Sequence, residues 1–282
     1  MPELQVSVVL PYYLRLAEGD YQTSQAGEVV QVVAPLLLEG TLPCTSVCAH
    51  FTPEESADLD EIHKRRVRCG EQLLRRINRL LRWYRSVSRQ ADITESTRAQ
   101  ASPFQFAATG AAPPAEWTAP LEYEAVGPQP AVLTLEQTTQ AVRDGLTSGN
   151  DPDVADLFLL DAERALHQGR FRETVLFCWS TIDSVFNRRY GALVDAALLD
   201  EWGEARDFFK GLDFKLRNKM SAGMHLVANR SLFREPGDFW QRLSASYSKR
   251  NAIIHRGENA SEDEATQAVA VARQIVRIMR EV

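Results

Sequence analysis

Cysteine is scarce in this chain, with four in 282 residues. So few cannot staple a fold, which excludes a disulfide framework and makes a reducing cytoplasm the expected compartment. No apolar run approaches the ~18 residues that a membrane-crossing helix needs. The opening Met1-Pro2-Glu3-Leu4-Gln5 lacks the basic start and apolar stretch of a secretion signal. Gly-rich phosphate loops, a GxSxG elbow and an HExxH helix are all missing. A strong excess of either charge is missing too: the net is −6, which gives no global argument for nucleic-acid binding. What is present, 44% hydrophobic and 25% charged residues, is the composition of an ordinary globular protein and excludes a disordered or collagen-like chain. The length suits about two domains.

The pattern predicts a mainly α protein: an α+β domain over 1–130, a helical connector over 131–150, and a helical bundle over 151–282. Gln5–Leu14 and Glu28–Leu38 are rich in β-branched residues. Pro11 makes the first of them an edge strand or two short strands. Thr52-Pro53-Glu54-Glu55 combines a cap, a first-turn proline and a capping-box glutamate, and starts a helical pattern that reaches about Arg89, interrupted only by Gly70. Residues 101–130 hold six of the thirteen prolines and read as loop, with short strands at Phe104–Ala108 and Leu121–Ala125. Amphipathic helices then follow over Leu133–Leu146, Asp151–Gln168, Phe171–Tyr190, Leu193–Phe209, Phe214–Ala228, Pro236–Arg256 and Glu262–Met279. Consecutive helices with short connections specify a bundle.

The helix predicted over 52–89 is basic in its second part: Lys64–Arg89 holds ten basic groups and one acid, Glu71. Leu73, Leu74, Ile77, Leu80, Leu81 and Tyr84 share one face, and Arg68, Arg75, Arg79 and Arg82 the opposite one. Such a ridge could track RNA phosphates, face solvent or a partner protein, or lie on a membrane, for which no second anchor is evident. Cys44-x3-Cys48-x-His50, with His63 and Cys69 beyond, supplies zinc-type ligands at spacings unlike the usual ribbons and fingers. Buried reduced thiols fit the same residues. His167 and His225 receive no role.

The most informative stretch is Ser248–Gly257, SKRNAIIHRG, late in a helix whose predicted core face includes Leu243, Tyr247 and Ile254. At about 100° per residue, Asn251 and His255 share a face, and Arg250 lies about 140° around the helix from His255. One helix therefore does not aim both at a single atom. Convergence requires the helix end, where side chains bend, or a two-fold axis. Gly257 resembles a helix stop, placing His255 in the last turn, where the helix dipole favours a cation.

Arg250-Asn251-x3-His255-Arg256-Gly257 resembles the signature of HEPN domains, the higher-eukaryote and prokaryote nucleotide-binding helical bundles. Leu159-Leu160-Asp161-Ala162-Glu163, continuing to Thr174-Val175, is similar to the first helix pair of that bundle. Asp183 stands where many members carry an acidic residue. The resemblance covers residues 151–282. It implies metal-independent RNA cleavage without a cofactor, with Arg250, Asn251 and His255 as catalytic residues and Asp183 in support. Arg256 is the expected RNA contact beside the motif, and Arg68, Arg75, Arg79 and Arg82 are the expected contacts if the basic ridge tracks RNA.

The chemistry implied is attack by the RNA 2′-hydroxyl, giving a 2′,3′-cyclic phosphate and a 5′-hydroxyl. An imidazole moves the proton and a guanidinium holds the scissile phosphate. The resemblance also implies a homodimer through the motif helix and a bacterial toxin or antiphage setting. The N-terminal region is a candidate site for a regulatory protein partner. A non-catalytic, dimer-forming module that binds a protein or nucleic acid is the alternative. A nucleotide-binding module serving a separate nucleotidyltransferase is a third reading.

Overall fold

Val6 and Val8 alternate with Gln5 and Ser7, and this period of two becomes strand β1 (Leu4–Val9), with both valines fully buried. The computed structural model describes residues 4–23, 27–36, 44–52, 59–98, 104–108, 133–198, 202–211 and 215–282. The chain divides into two units, Met1–Pro152 and Asp153–Val282. It is mainly helical, with a small antiparallel sheet in the first unit. Among the described residues no helix is long and apolar enough to cross a membrane.

In the first unit β1 is followed by β2 (Gly19–Gln22), β3 (Val29–Leu36) and β4 (Cys44–Phe51), then the long helix α1 (Leu59–Ser88), β5 (Gln105–Ala108) and α2 (Leu135–Thr147). The sheet order is β2-β3-β4-β1-β5, and every pairing is antiparallel. β1 is therefore an interior strand, contrary to the predicted edge. It ends at Val9, so Pro11 lies outside the ladder. Pro35 falls within the register shift between Val33 and Leu36, where a missing amide donor disturbs the pairing least.

β4 occupies the centre of the sheet, although its sequence carries no strand signal. Cys44 to Ala49 are all buried, so the apolar–polar alternation that marks a half-exposed strand is absent. Its small polar residues are satisfied locally: the Thr45 hydroxyl accepts from the Leu14 amide at 2.7 Å. α1 passes through Gly70 without a break and lays Leu73, Ile77, Leu80, Leu81 and Tyr84 against Val6, Val8, Val32, Val47 and Ala49 in one core. The helix start predicted at Thr52–Glu55 and the strand predicted at Leu121–Ala125 fall largely or wholly outside the described residues.

The segment predicted as a connector behaves differently. α2 starts with a capping box between Thr134 and Gln137 and buries Val142 and Leu146 in the same core as α1. It is a structural helix of the first unit. Gly145 lets the Trp83 ring approach so closely that a Cβ there would lie 2.3 Å from the ring.

The second unit contains α3 (Val154–His167), α4 (Phe171–Ala197), α5 (Gly203–Lys210), α6 (Leu216–Asn218), a π-helical turn (Lys219–Gly223), α7 (Met224–Ala228), a 3-10 turn (Leu232–Arg234), α8 (Phe239–Arg256) and α9 (Glu262–Glu281). The Asp153 carboxylate caps α3 by accepting from the Ala155 amide, and a Ser261–Glu264 capping box opens α9. One core joins Leu159 and Ala162 of α3, Trp179, Ile182 and Phe186 of α4, Leu243 and Ile253 of α8, and Ala268, Ala272 and Ile275 of α9.

α4 runs past Tyr190 through Gly191 to Ala197. The single helix predicted over Leu193–Phe209 is thus the end of α4 followed by the separate α5. The helix predicted over Phe214–Ala228 contains the π turn instead of regular α geometry. There the buried Lys219 donates from Nζ to the Lys210 carbonyl at 2.7 Å.

Candidate active site

α8 is oriented by a stripe at three- and four-residue spacing. Phe239, Leu243, Ser246 and Ile253 are all buried, and Arg250 occupies the place in the stripe between Ser246 and Ile253. The predicted core face needs one correction. Ile253, 1% exposed, continues the stripe, whereas Ile254 is 48% exposed. Tyr247 lies beside the stripe, half-buried, with its ring 5.1 Å from that of Trp179.

The stripe explains the environment of Arg250. Trp179 Nε1 donates to the Ser246 carbonyl at 3.1 Å and to its hydroxyl at 3.0 Å. A step of four residues along both helices carries Trp179 to Asp183 and Ser246 to Arg250. Arg250 Nη2 lies 4.0 Å from Asp183 Oδ2, and Nη1 donates to Asn251 Oδ1 at 3.0 Å. The guanidinium side chain retains 30% exposure. It is therefore held from two sides with donors left over. Burial pushes the Asp183 carboxyl above its usual range, and Arg250 opposes that shift.

His255 is exposed in the last turn of α8. No hydrogen bond or ion pair joins it to Arg250 among the described residues, as the 140° separation on the helix leads one to expect. Gly257, at φ 68°, ends the helix in the left-handed region, and its amide donates to the Ile253 carbonyl at 3.1 Å. Arg256 does not stand free: its Nε donates to Glu258 Oε1 at 2.8 Å. That bond lowers the Glu258 carboxyl below its ordinary range. Lys249 pairs with Glu264 at 3.0 Å. The structure thus brings Arg250, Asn251 and Asp183 together and leaves His255 apart and accessible.

The arginines predicted on the back of α1 divide into two groups. Arg68, 3.9 Å from Glu61, and Arg75 are exposed. Arg79 donates to the carbonyls of Thr23 and Asn150, and Arg82 lies 3.3 Å from Asp151 and 3.6 Å from Glu95. With Arg76, which reaches Glu28 and the Val29 carbonyl, these two tether α1 to its own unit. Cys44 and Cys48 are buried on β4 and Cys69 on α1, while His50 and His63 are exposed. Among the described residues no group of three or more His, Cys, Asp or Glu is placed to hold a metal ion.

His225, which no motif in the sequence singles out, lines a hollow in the second unit together with Tyr247 of α8. The only sequence signal for this hollow is the gathering of Lys, Arg and aromatic residues between 215 and 247, which helical periodicity alone does not single out. No protein-family model, curated protein or solved structure matches this chain.

Proposed function

We propose that the second unit is a metal-independent endoribonuclease of the HEPN kind. The observation that carries this reading is the half-buried Arg250, fixed by Asp183 and Asn251, with the exposed His255 on the same helix end. RNA brings its own nucleophile. The 2′-oxygen forms a bond to phosphorus, the bond from phosphorus to the 5′-oxygen breaks, and one proton leaves the 2′-hydroxyl while another reaches the 5′-oxygen. An exposed imidazole moves protons in this way near neutral pH. A guanidinium already fixed in place holds the phosphate and its added charge at little further ordering cost.

Because Arg250 and His255 diverge on one helix and no bond joins them among the described residues, a complete site is built most simply from two copies of α8 related by a two-fold axis. The exposed Ile254, between Ala252–Ile253 in the core and His255 in solvent, suits the apolar centre of such an interface. RNA reaching it must be single-stranded or looped, since in-line attack by the 2′-hydroxyl requires a flexible backbone. Bacterial toxins and antiphage systems are the setting that the HEPN resemblance suggests.

A binding module without chemistry is the competing reading. It is favoured by the Asp183–Arg250 pair, because an arginine engaged with its own fold has less need of a phosphate. Incubating the full chain with RNA in EDTA decides between them. The nuclease reading expects fragments ending in 2′,3′-cyclic phosphate and 5′-hydroxyl; intact RNA after prolonged incubation would favour the binding module.

A further inference from the structure

The hollow beside α8 has a volume of about 850 Å³ and is walled by α6, the π turn, the start of α7, the 3-10 turn and the first half of α8. That is the size of a small-molecule site. Its walls carry Lys215, Arg217 and Arg234, and none of the described residues lining it is acidic. In a chain of net charge −6, this is a local reversal of sign. Among the described residues these three cations have no carboxylate partner. The neighbouring Arg230 differs, with Nε 2.8 Å from Glu235 and Nη1 3.0 Å from Glu281.

Aromatic rings stand among the cations. Phe233 is 60% exposed although large and apolar, and it meets Trp240 edge-on with ring centroids 5.5 Å apart. The Arg217 guanidinium carbon lies 5.6 Å from the centre of the Trp240 ring. Tyr247 closes the wall toward Arg250, three residues on along α8. Covering the exposed ring removes apolar surface from water, and a flat partner adds the further gain of an aromatic pair. The backbone here departs from regular helix at the π turn, a distortion that occurs often at functional sites.

We propose that this cleft seats a nucleotide unit, with its base stacked on the exposed Phe233 ring and its phosphate held by Lys215, Arg217 and Arg234. Stacking accepts any base because every base has a π face, and the unpaired cations supply the sequence-independent attraction to phosphate. Asn218 and Ser221 on the same wall offer donors and acceptors for a base edge. The inference goes beyond the nuclease reading, since it holds for a chain that cuts nothing.

The test uses the full chain and a fluorescein-labelled decauridylate carrying 2′-O-methyl on every ribose, which lacks the nucleophile and cannot be cleaved. Saturable binding that weakens as salt rises is expected. Phe233→Ala and Arg234→Glu, at two exposed positions that do not support the core, should each weaken it about tenfold or more with unchanged circular dichroism. Competition by free uridine monophosphate would assign the cleft to free nucleotides, and its failure to compete would assign it to single strands; either supports the proposal. Affinities equal to the parent in both variants, absence of binding to both probes, or equal displacement by polyglutamate would overturn it. A parent that binds the probe but leaves cleavable RNA intact removes the nuclease reading and not this one.

Discussion

Tyr190 carries a buried hydroxyl with no hydrogen-bond partner among the described residues, on a ring stacked on Phe186 at 5.4 Å. Burial pushes its phenol up to about 12. Removing an unsatisfied polar atom while keeping the ring relieves a desolvation cost, so Tyr190→Phe should be neutral or stabilise by about 1 kcal/mol. Urea denaturation measures this; a loss of more than that would reveal a partner for the hydroxyl. Asp183 makes a second prediction at this scale. Its carboxyl is raised by burial, so the folded chain holds the proton more tightly than the unfolded chain does. That contribution is present below the ordinary carboxylate range and is lost as pH rises through the raised value. Asp183→Asn should therefore stabilise the protein at pH 7, with a gain that shrinks as pH falls toward 4. With the side chain 38% exposed, screening by solvent keeps the gain below about 1 kcal/mol. Greater stability of the parent at pH 7 would mean that the attraction of Arg250 outweighs the burial cost.

Elements differ in how plainly their residues announce them. α9 and α2 carry capping boxes and a clear apolar period, and the sequence alone places them to within about two residues. β4 is silent because both of its faces are covered, which erases alternation. The break between α4 and α5 falls after Ala197 and not at Gly191, since a glycine inside a helix costs only about 1 kcal/mol and packing of Tyr190 and Val194 outweighs it. The π turn leaves no mark in composition at all. Packing between elements also limits substitution. Gly145 of α2 faces the Trp83 ring of α1, and Gly145→Ala places a methyl well inside contact distance. The better helix propensity of alanine is outweighed by overpacking, and a net loss of about 1–3 kcal/mol is expected in thermal denaturation. An unchanged melting temperature would show that the indole can move aside. The arginines of α1 follow the same logic: their spacing is legible, but the carbonyls of Thr23, Val29 and Asn150 that receive Arg76 and Arg79 come together only in the fold. Charge reversal at Arg68 and Arg75 therefore tests RNA contact cleanly, whereas reversal at Arg79 or Arg82 also disturbs the first unit.

For the whole molecule, the motif was legible as spacing and its setting was not. Arg250, Asn251 and His255 stand out in one short stretch, and the helical wheel separates the first from the last. The resemblance names Asp183 in support, but the wheel cannot supply its contact with Arg250, which forms because α4 and α8 are aligned by the Trp179–Ser246 bonds four residues earlier. The proposed two-fold assembly makes its own prediction. Ile254→Glu introduces like charges beside the axis at an exposed position, so the fold should persist while the dimer dissociates and RNA cleavage falls with it. Sedimentation and activity measured on the same samples check this, and full activity in a strictly monomeric variant would refute the shared site.

In the proposed nuclease His255 performs proton transfer on RNA. The most direct measurement compares the parent and His255→Ala for cleavage of the same RNA in EDTA, with circular dichroism confirming that the fold is kept. Because the imidazole is exposed and supports no part of the core, a loss on the order of 10²-fold or more with no loss of structure is expected. Cleavage by the variant at the rate of the parent would contradict it.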